Sequence, residues 1–204
     1  MRFGGGHFHA VGMKPRRQGR EARENRHVKP ATEIAVRARD EEELMQIVAA
    51  QAVPFILVLD CIQDPHNLGA ILRTADGAGV HAVVAPKDKA VGITETVRRI
   101  SVGAADNVPF VQVTNLARTM GRLQEKGLWF VGTSDRAEKS IYELDLKGPL
   151  AIVLGAEEKG MRRLTEENCD FLASIPMAGK IECLNVSVSA GVCLFEAVRQ
   201  RSAR

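Results

Sequence analysis

Ile175-Pro-Met-Ala-Gly-Lys-Ile-Glu-Cys-Leu-Asn-Val-Ser-Val-Ser-Ala-Gly191 joins three unlike pieces of chain in one short run. An apolar strand, Phe171 to Ile175, ends at Pro176, and a glycine-containing loop follows. Asn185 then opens a helix whose first turns carry almost no charge. A strand, a loop rich in free main-chain groups and a helix N-terminus with its positive dipole end form the arrangement that holds small polar ligands in α/β proteins. Taken alone, the stretch also fits an ordinary strand-to-helix crossover.

Working outward, the chain from Pro54 alternates. Phe55-Ile-Leu-Val-Leu59 is a continuous apolar run, the mark of a strand covered on both faces. Further strands are predicted at His81 to Ala85, Pro109 to Val113, Leu128 to Gly132 and Leu150 to Leu154, besides Phe171 to Ile175. Helices are predicted between them at Asn67 to Gly77, Thr94 to Val102, Asn115 to Lys126 and Met161 to Asn168, and finally at Asn185 to Arg201. That alternation predicts an α/β fold, a mostly parallel sheet flanked by helices, with ligands bound outside the carboxyl ends of the strands.

Upstream, residues 1–30 hold eight Lys or Arg against Glu21 and Glu24, so this segment carries +6 of a net +3 and the remainder −3. It is rich in glycine and poor in large apolar residues, and we read it as an arm that is disordered or ordered only on a partner. Such a basic arm fits nucleic acid, through release of phosphate counterions, or a solubilising tail. Residues 31–53 read as a helical linker, because Leu44, Ile47 and Val48 share a face behind acids at the start. Residues 54–204 form the main domain. With no apolar run long enough to span a bilayer and no apolar core in the N-terminal stretch, the expectation is a cytoplasmic protein without a membrane partner. Cys61, Cys169, Cys183 and Cys193 form no CxxC pair and read as reduced core or loop residues. His7 and His9 lack further ligands in the tail, so no metal is expected.

Two more strand ends carry chemistry-bearing residues. Asp64-Pro-His-Asn67 is a turn and helix start, with Asn67 able to cap the helix or to face a site. Arg73 lies in an otherwise apolar helix, which calls for a salt bridge, a phosphate or a reacting hydroxyl. Gly155-Ala-Glu-Glu-Lys-Gly160 is a tight loop matching neither GxxxxGK[ST] nor GxGxxG. Its glycines imply close backbone approach to a ligand, with Glu157 a partner for Arg73.

Together the three stretches resemble the motifs of the SPOUT methyltransferases in their SpoU (TrmH) branch. Asp64-Pro-His-Asn-Leu-Gly-Ala-Ile-Leu-Arg73 is similar to the first motif and Val153-Leu-Gly-Ala-Glu-Glu-Lys-Gly-Met161 to the second. Ile175-Pro-Met-Ala-Gly with Leu184-Asn-Val-Ser-Val188 is similar to the third, and the likeness runs from about Pro54 to Gln200. Val80-His-Ala-Val, Gly160-Met-Arg-Arg-Leu-Thr165 and the end of the last helix look most like members that methylate a guanosine ribose of 23S rRNA.

The resemblance implies a C-terminal trefoil knot and a homodimer whose site is completed across the interface. It implies S-adenosylmethionine as cofactor, held largely by main-chain groups at Gly155, Ile175 and Leu184, with Met177 of the third motif and Thr133 as further contacts. It implies Arg73 as the residue that activates the 2′-hydroxyl, through phosphate orientation and alkoxide stabilisation, with Asn67 and Asn185 fixing the ribose and Glu157 orienting Arg73. RNA contacts fall to the basic arm and to Arg98, Arg99 and Arg162, with Arg163 beside it; each of those pairs also fits a solvated helix face. Cys183 stands where many members have a serine, and a thiol is the weaker hydrogen-bond partner. The members most resembled carry an N-terminal RNA-binding domain of about a hundred residues, within the usual domain range, and the basic arm is expected in its place. A tRNA ribose and a purely RNA-binding or ribosome-assembly role are the alternatives.

Overall fold

The computed structural model describes residues 39–157 and 159–202. Six strands form one all-parallel sheet: β1 Phe55–Leu59, β2 Ala82–Pro86, β3 Phe110–Val113, β4 Trp129–Thr133, β5 Leu150–Leu154 and β6 Phe171–Ala173, in the order β3-β2-β1-β5-β4-β6. Every residue of β1, β2 and β5 is buried, as continuous apolar runs require when helices cover both faces. Side chains alternate between two cores. Phe55, Leu57 and Leu59 join one with α2 (Pro65–Gly77) and α7 (Val186–Ser202), whereas Ile56 and Val58 join the other with α1 (Glu41–Ala49) and α5 (Leu116–Gln124). The register pairs Ile56 with Ala82 and Phe55 with Leu150, which places the chain reversal between β1 and β5. The carboxyl ends of β1, β5, β4 and β6 therefore open on one side, at the switch point where ligands of such sheets bind.

The expected basic arm lies outside the described residues. The helix expected before Pro54 is α1, capped by a reciprocal pair of Asp40 and Glu43 hydrogen bonds, and it is more than a connector. Leu44, Met45 and Val48 are core residues, and Glu41 binds Arg118 and Arg122 of α5. Partial burial alone would raise the Glu41 carboxyl, but hydrogen bonds from Arg122 and Arg118 outweigh it and hold it below the ordinary value.

Helix and strand ends differ from expectation for local reasons. α2 starts at Pro65, where the ring presets the backbone and Asp64 accepts the His66 N–H at 2.8 Å, so Asp64 and not Asn67 is the cap. α3 (Glu95–Ser101) stops where Val102 and Gly103 turn left-handed, and a short α4 (Ala104–Asn107) follows that the pattern did not reveal. α6 spans only Arg163–Glu167. β6 ends at Ala173 because Ser174 turns to another partner: its N–H donates to the Lys139 carbonyl at 2.8 Å and its own carbonyl accepts from Ile141 at 2.9 Å.

Segment 139–148 also covers the second half of α7. Leu146 donates to the Gln200 side chain at 2.9 Å, and Arg201 donates to the carbonyls of Leu146 and Gly148. Glu196 is buried on α7, and paired hydrogen bonds from Arg199 with another from Gln200, all at 2.8 Å, pull its carboxyl down to about 2. Because its folded value lies below the ordinary 4.5, the stability it contributes is whole above about pH 4.5 and is lost as pH falls toward about 2. Melting curves across that window should fall more steeply for the wild-type chain than for Glu196→Gln. Parallel curves would remove Glu196 from the acid response.

Among the described residues no helix is long and apolar enough to cross a membrane.

Candidate cofactor and catalytic site

Three residues from three separate stretches of chain meet at the carboxyl edge of the sheet. Asn67, third in α2, is placed by the Asp64 cap and Pro65. Glu157 sits in the loop after β5, closed by reciprocal main-chain bonds between Ala156 and Gly160 at 3.1 and 2.8 Å. Asn185 caps α7, its Oδ1 accepting from the Ser187 N–H at 2.9 Å and the Ser187 hydroxyl at 2.6 Å. The Asn185 amide donates to Asn67 Oδ1 at 3.0 Å and also to Glu157 Oε1. The same Glu157 oxygen accepts from Asn67 Nδ2 at 3.4 Å and from the Val186 N–H at 3.1 Å. A carboxylate on the first N–H of a 17-residue helix meets the positive end of its dipole, so Glu157 is held by charge as well as by geometry.

Arg73 is the sequence-predicted site residue that this junction leaves out. It is exposed on α2, and Glu157, expected to orient it, is instead bonded to Asn67, Asn185 and Val186. The reason is helical phase: six residues beyond Asn67, Arg73 points about 120° away around the axis.

Beside the junction lies an open cavity of about 510 Å³. All five residues expected at a cofactor, Thr133, Gly155, Ile175, Met177 and Leu184, line it, and so does Glu157. Gly155 is required there by close approach: a Cβ on it would stand 2.1 Å from the Gly160 carbonyl carbon and 2.2 Å from the Met161 nitrogen. Sequence reasoning missed Arg136 and Lys159, two exposed cations on the cavity wall, because nothing in their local pattern separates them from ordinary loop charges.

The predicted RNA-facing arginines divide. Arg99 is exposed, and Arg98 pairs with Asp106 at 2.5 Å. Arg162, expected to face RNA, is instead engaged with the buried Asp60 at 2.8 Å, and Arg163 pairs with Glu167 along α6. All four cysteines are free; burial pushes the Cys169 and Cys193 thiols up to about 12, which removes both as nucleophiles. Cys183 is exposed on the cavity wall. No group of three or more metal-ligating side chains gathers among the described residues.

A model of the SpoU rRNA methylase family matches residues 54–195, from the start of β1 into the second half of α7. The chain belongs to the SpoU rRNA methylase family. Two SpoU relatives are named 23S rRNA (guanosine-2′-O-)-methyltransferase RlmB. That of Ralstonia nicotianae is 64% identical over 149 residues, 73% of this chain and 60% of the relative. That of Pseudomonas aeruginosa is 53% identical over 194 residues, 94% of this chain and 78% of the relative. A solved SpoU methyltransferase, AviRb from Streptomyces viridochromogenes in complex with AdoMet, superposes with a TM-score of 0.72 at 28% identity, covering 79% of this chain and 65% of that one.

Proposed function

We propose that the chain methylates the ribose 2′-hydroxyl of a guanosine in 23S rRNA, with S-adenosylmethionine as donor. The observation that carries this reading is the Asn67–Glu157–Asn185 junction at the edge of the cavity, in a SpoU chain 64% and 53% identical to two proteins named for that reaction.

The cavity suits the cofactor. Its volume falls in the range of about 300–1,000 Å³ that holds small ligands, and the contact of Gly155 with Gly160 and Met161 leaves main-chain groups at its wall. Gly155, Ile175 and Leu184 would hold the ligand through the main chain, with Thr133 and Met177 beside them. Bound there, S-adenosylmethionine supplies a methyl already activated on a sulfonium sulfur, which leaves positioning and deprotonation to the protein. Asn67 and Asn185, locked by Glu157, present fixed amides to the ribose. A guanidinium does not give up its proton at neutral pH, so Arg73 acts by orienting the target phosphate and stabilising the developing alkoxide, and the proton leaves to phosphate or water.

Arg73 is exposed on α2 and has no hydrogen-bond or ion-pair partner among the described residues, and α7 leaves Val188 and Phe195 about half exposed where it packs along α2. Both facts support a homodimer in which the partner's Arg73 completes each site. Mixing inactive Arg73→Ala and Asn185→Ala chains should then restore about a quarter of wild-type activity, since half the exchanged dimers are mixed and each rebuilds one site. No rescue after verified exchange would place Arg73 and Asn185 in the same chain's site. The trefoil threading is supported by segment 139–148, which binds Ser174 and, farther along the chain, Gln200 and Arg201. The arm of residues 1–30, with Arg98 and Arg99, is proposed to hold the RNA.

Transfer of labelled methyl to unmodified 23S rRNA and, separately, to bulk tRNA tests the substrate. Label in 23S rRNA that Arg73→Ala abolishes is the expected result. Label in tRNA alone would replace the substrate, and none in either would leave an RNA-binding protein.

A further inference from the structure

Asp60 directly follows β1 and is fully buried. Its Oδ2 accepts the main-chain N–H of Arg162 at 2.8 Å, and its Oδ1 accepts Arg162 Nε at 2.8 Å. The same guanidinium reaches Asp88 Oδ2, in the turn after β2, at 3.4 Å. One side chain therefore ties together the loops that leave β1, β2 and β5, all on the cavity side of the sheet.

Arg162 directly follows the loop that carries Glu157 and is folded against Gly155. Met161 and Gly160 line the cavity, and their backbone fills the space beside Gly155. A carboxylate that takes both the main-chain N–H and the side chain of one residue fixes where the loop ends as well as how that side chain is turned. Only the Asp60 side of this pair is buried, Arg162 remaining partly exposed; such an ion pair contributes little net stability, yet loss of the arginine leaves the buried carboxyl without its partner. Such a pair is better suited to holding one geometry than to raising overall stability.

We infer that the Asp60–Arg162 pair is a positioning clamp: it holds residues 155–157 and 159–161 in the shape that accepts the cofactor, and Arg162 acts through that loop and not through RNA. The inference rests on the cofactor assignment above and adds to it the residues that keep the site formed.

The test compares Arg162→Gln, Arg162→Lys and Asp60→Asn with Arg163→Gln, which removes a neighbouring charge without touching the clamp. Four quantities are read: the Kd for S-adenosylmethionine by calorimetry, amide hydrogen exchange across residues 155–161, RNA affinity at two salt concentrations, and the thermal midpoint. Arg162→Gln and Asp60→Asn should weaken cofactor binding by about tenfold or more and speed exchange in the loop. Arg162→Lys, which keeps the main-chain bond and a point charge, should lie between them and wild type; it carries the test if the other variants do not fold. Arg163→Gln should leave the cofactor Kd within about twofold. A lowered thermal midpoint with unchanged Kd and unchanged loop exchange would overturn the proposal in favour of a purely structural pair. Weaker RNA binding with a flatter salt dependence and an intact cofactor Kd would overturn it in favour of an RNA contact. A wild-type chain that binds no S-adenosylmethionine would sink the cofactor assignment, while loop exchange would still decide whether the clamp exists.

Discussion

Gly155→Ala is expected to abolish cofactor binding and methyl transfer. The added Cβ would lie 2.1 Å from the Gly160 carbonyl carbon, 2.2 Å from the Met161 nitrogen and 2.5 Å from the Gly160 oxygen. All three atoms are main chain, and they belong to a loop locked by the two Ala156–Gly160 hydrogen bonds, so no side chain can swing away to make room. On the other side Gly155 follows directly on β5, whose five residues are buried in the middle of the sheet. The loop must open, which widens the cavity wall and displaces Glu157. A Kd for S-adenosylmethionine raised on the order of 100-fold, with transfer lost, is the expected result in a chain whose circular dichroism stays close to wild type. Binding within about threefold of wild type would mean that the loop tolerates the methyl and plays no part in the pocket.

Glu157→Ala is the second large effect, and it should fall on turnover. Glu157 Oε1 gathers three donors, the Asn67 and Asn185 amides and the Val186 N–H. Without it both amides are free to rotate, and an N–H at the start of α7 loses its anion. Displacement of positioning groups by about an ångström costs on the order of 100-fold in rate, so kcat should drop by that factor while the KM for S-adenosylmethionine moves by a few fold. Glu157→Gln retains an acceptor oxygen at the same place and should lose only about tenfold, the share that belongs to charge at the helix end. Equal losses in the two variants would assign the whole effect to charge, and a change confined to KM would make Glu157 a cofactor contact.

The sheet was legible because β1 and β5 are apolar at every position, which is possible only when both alternating faces meet helices. The three meeting stretches were legible as motifs, each having unusual residues at the end of a strand. Partner choice across space was not. The Glu157–Arg73 pairing looked natural from charge, but rotation along α2 turns Arg73 outward and gives the carboxylate to two asparagines and a helix end. Arg162 looked like a free surface cation for the same reason: its partner Asp60 is 102 residues away, and nothing near either residue announces the other. The break between α3 and α4 depends on a left-handed Val102, a conformation that valine by itself disfavours.

The most direct measurement is the identity of the methylated nucleoside. Unmodified 23S rRNA incubated with the chain and S-adenosylmethionine, then digested and resolved by mass spectrometry, should yield 2′-O-methylguanosine with wild type and none with Arg73→Ala. A methyl group found on a base, or an RNA left unmodified by a wild-type chain that binds the cofactor, would contradict the account.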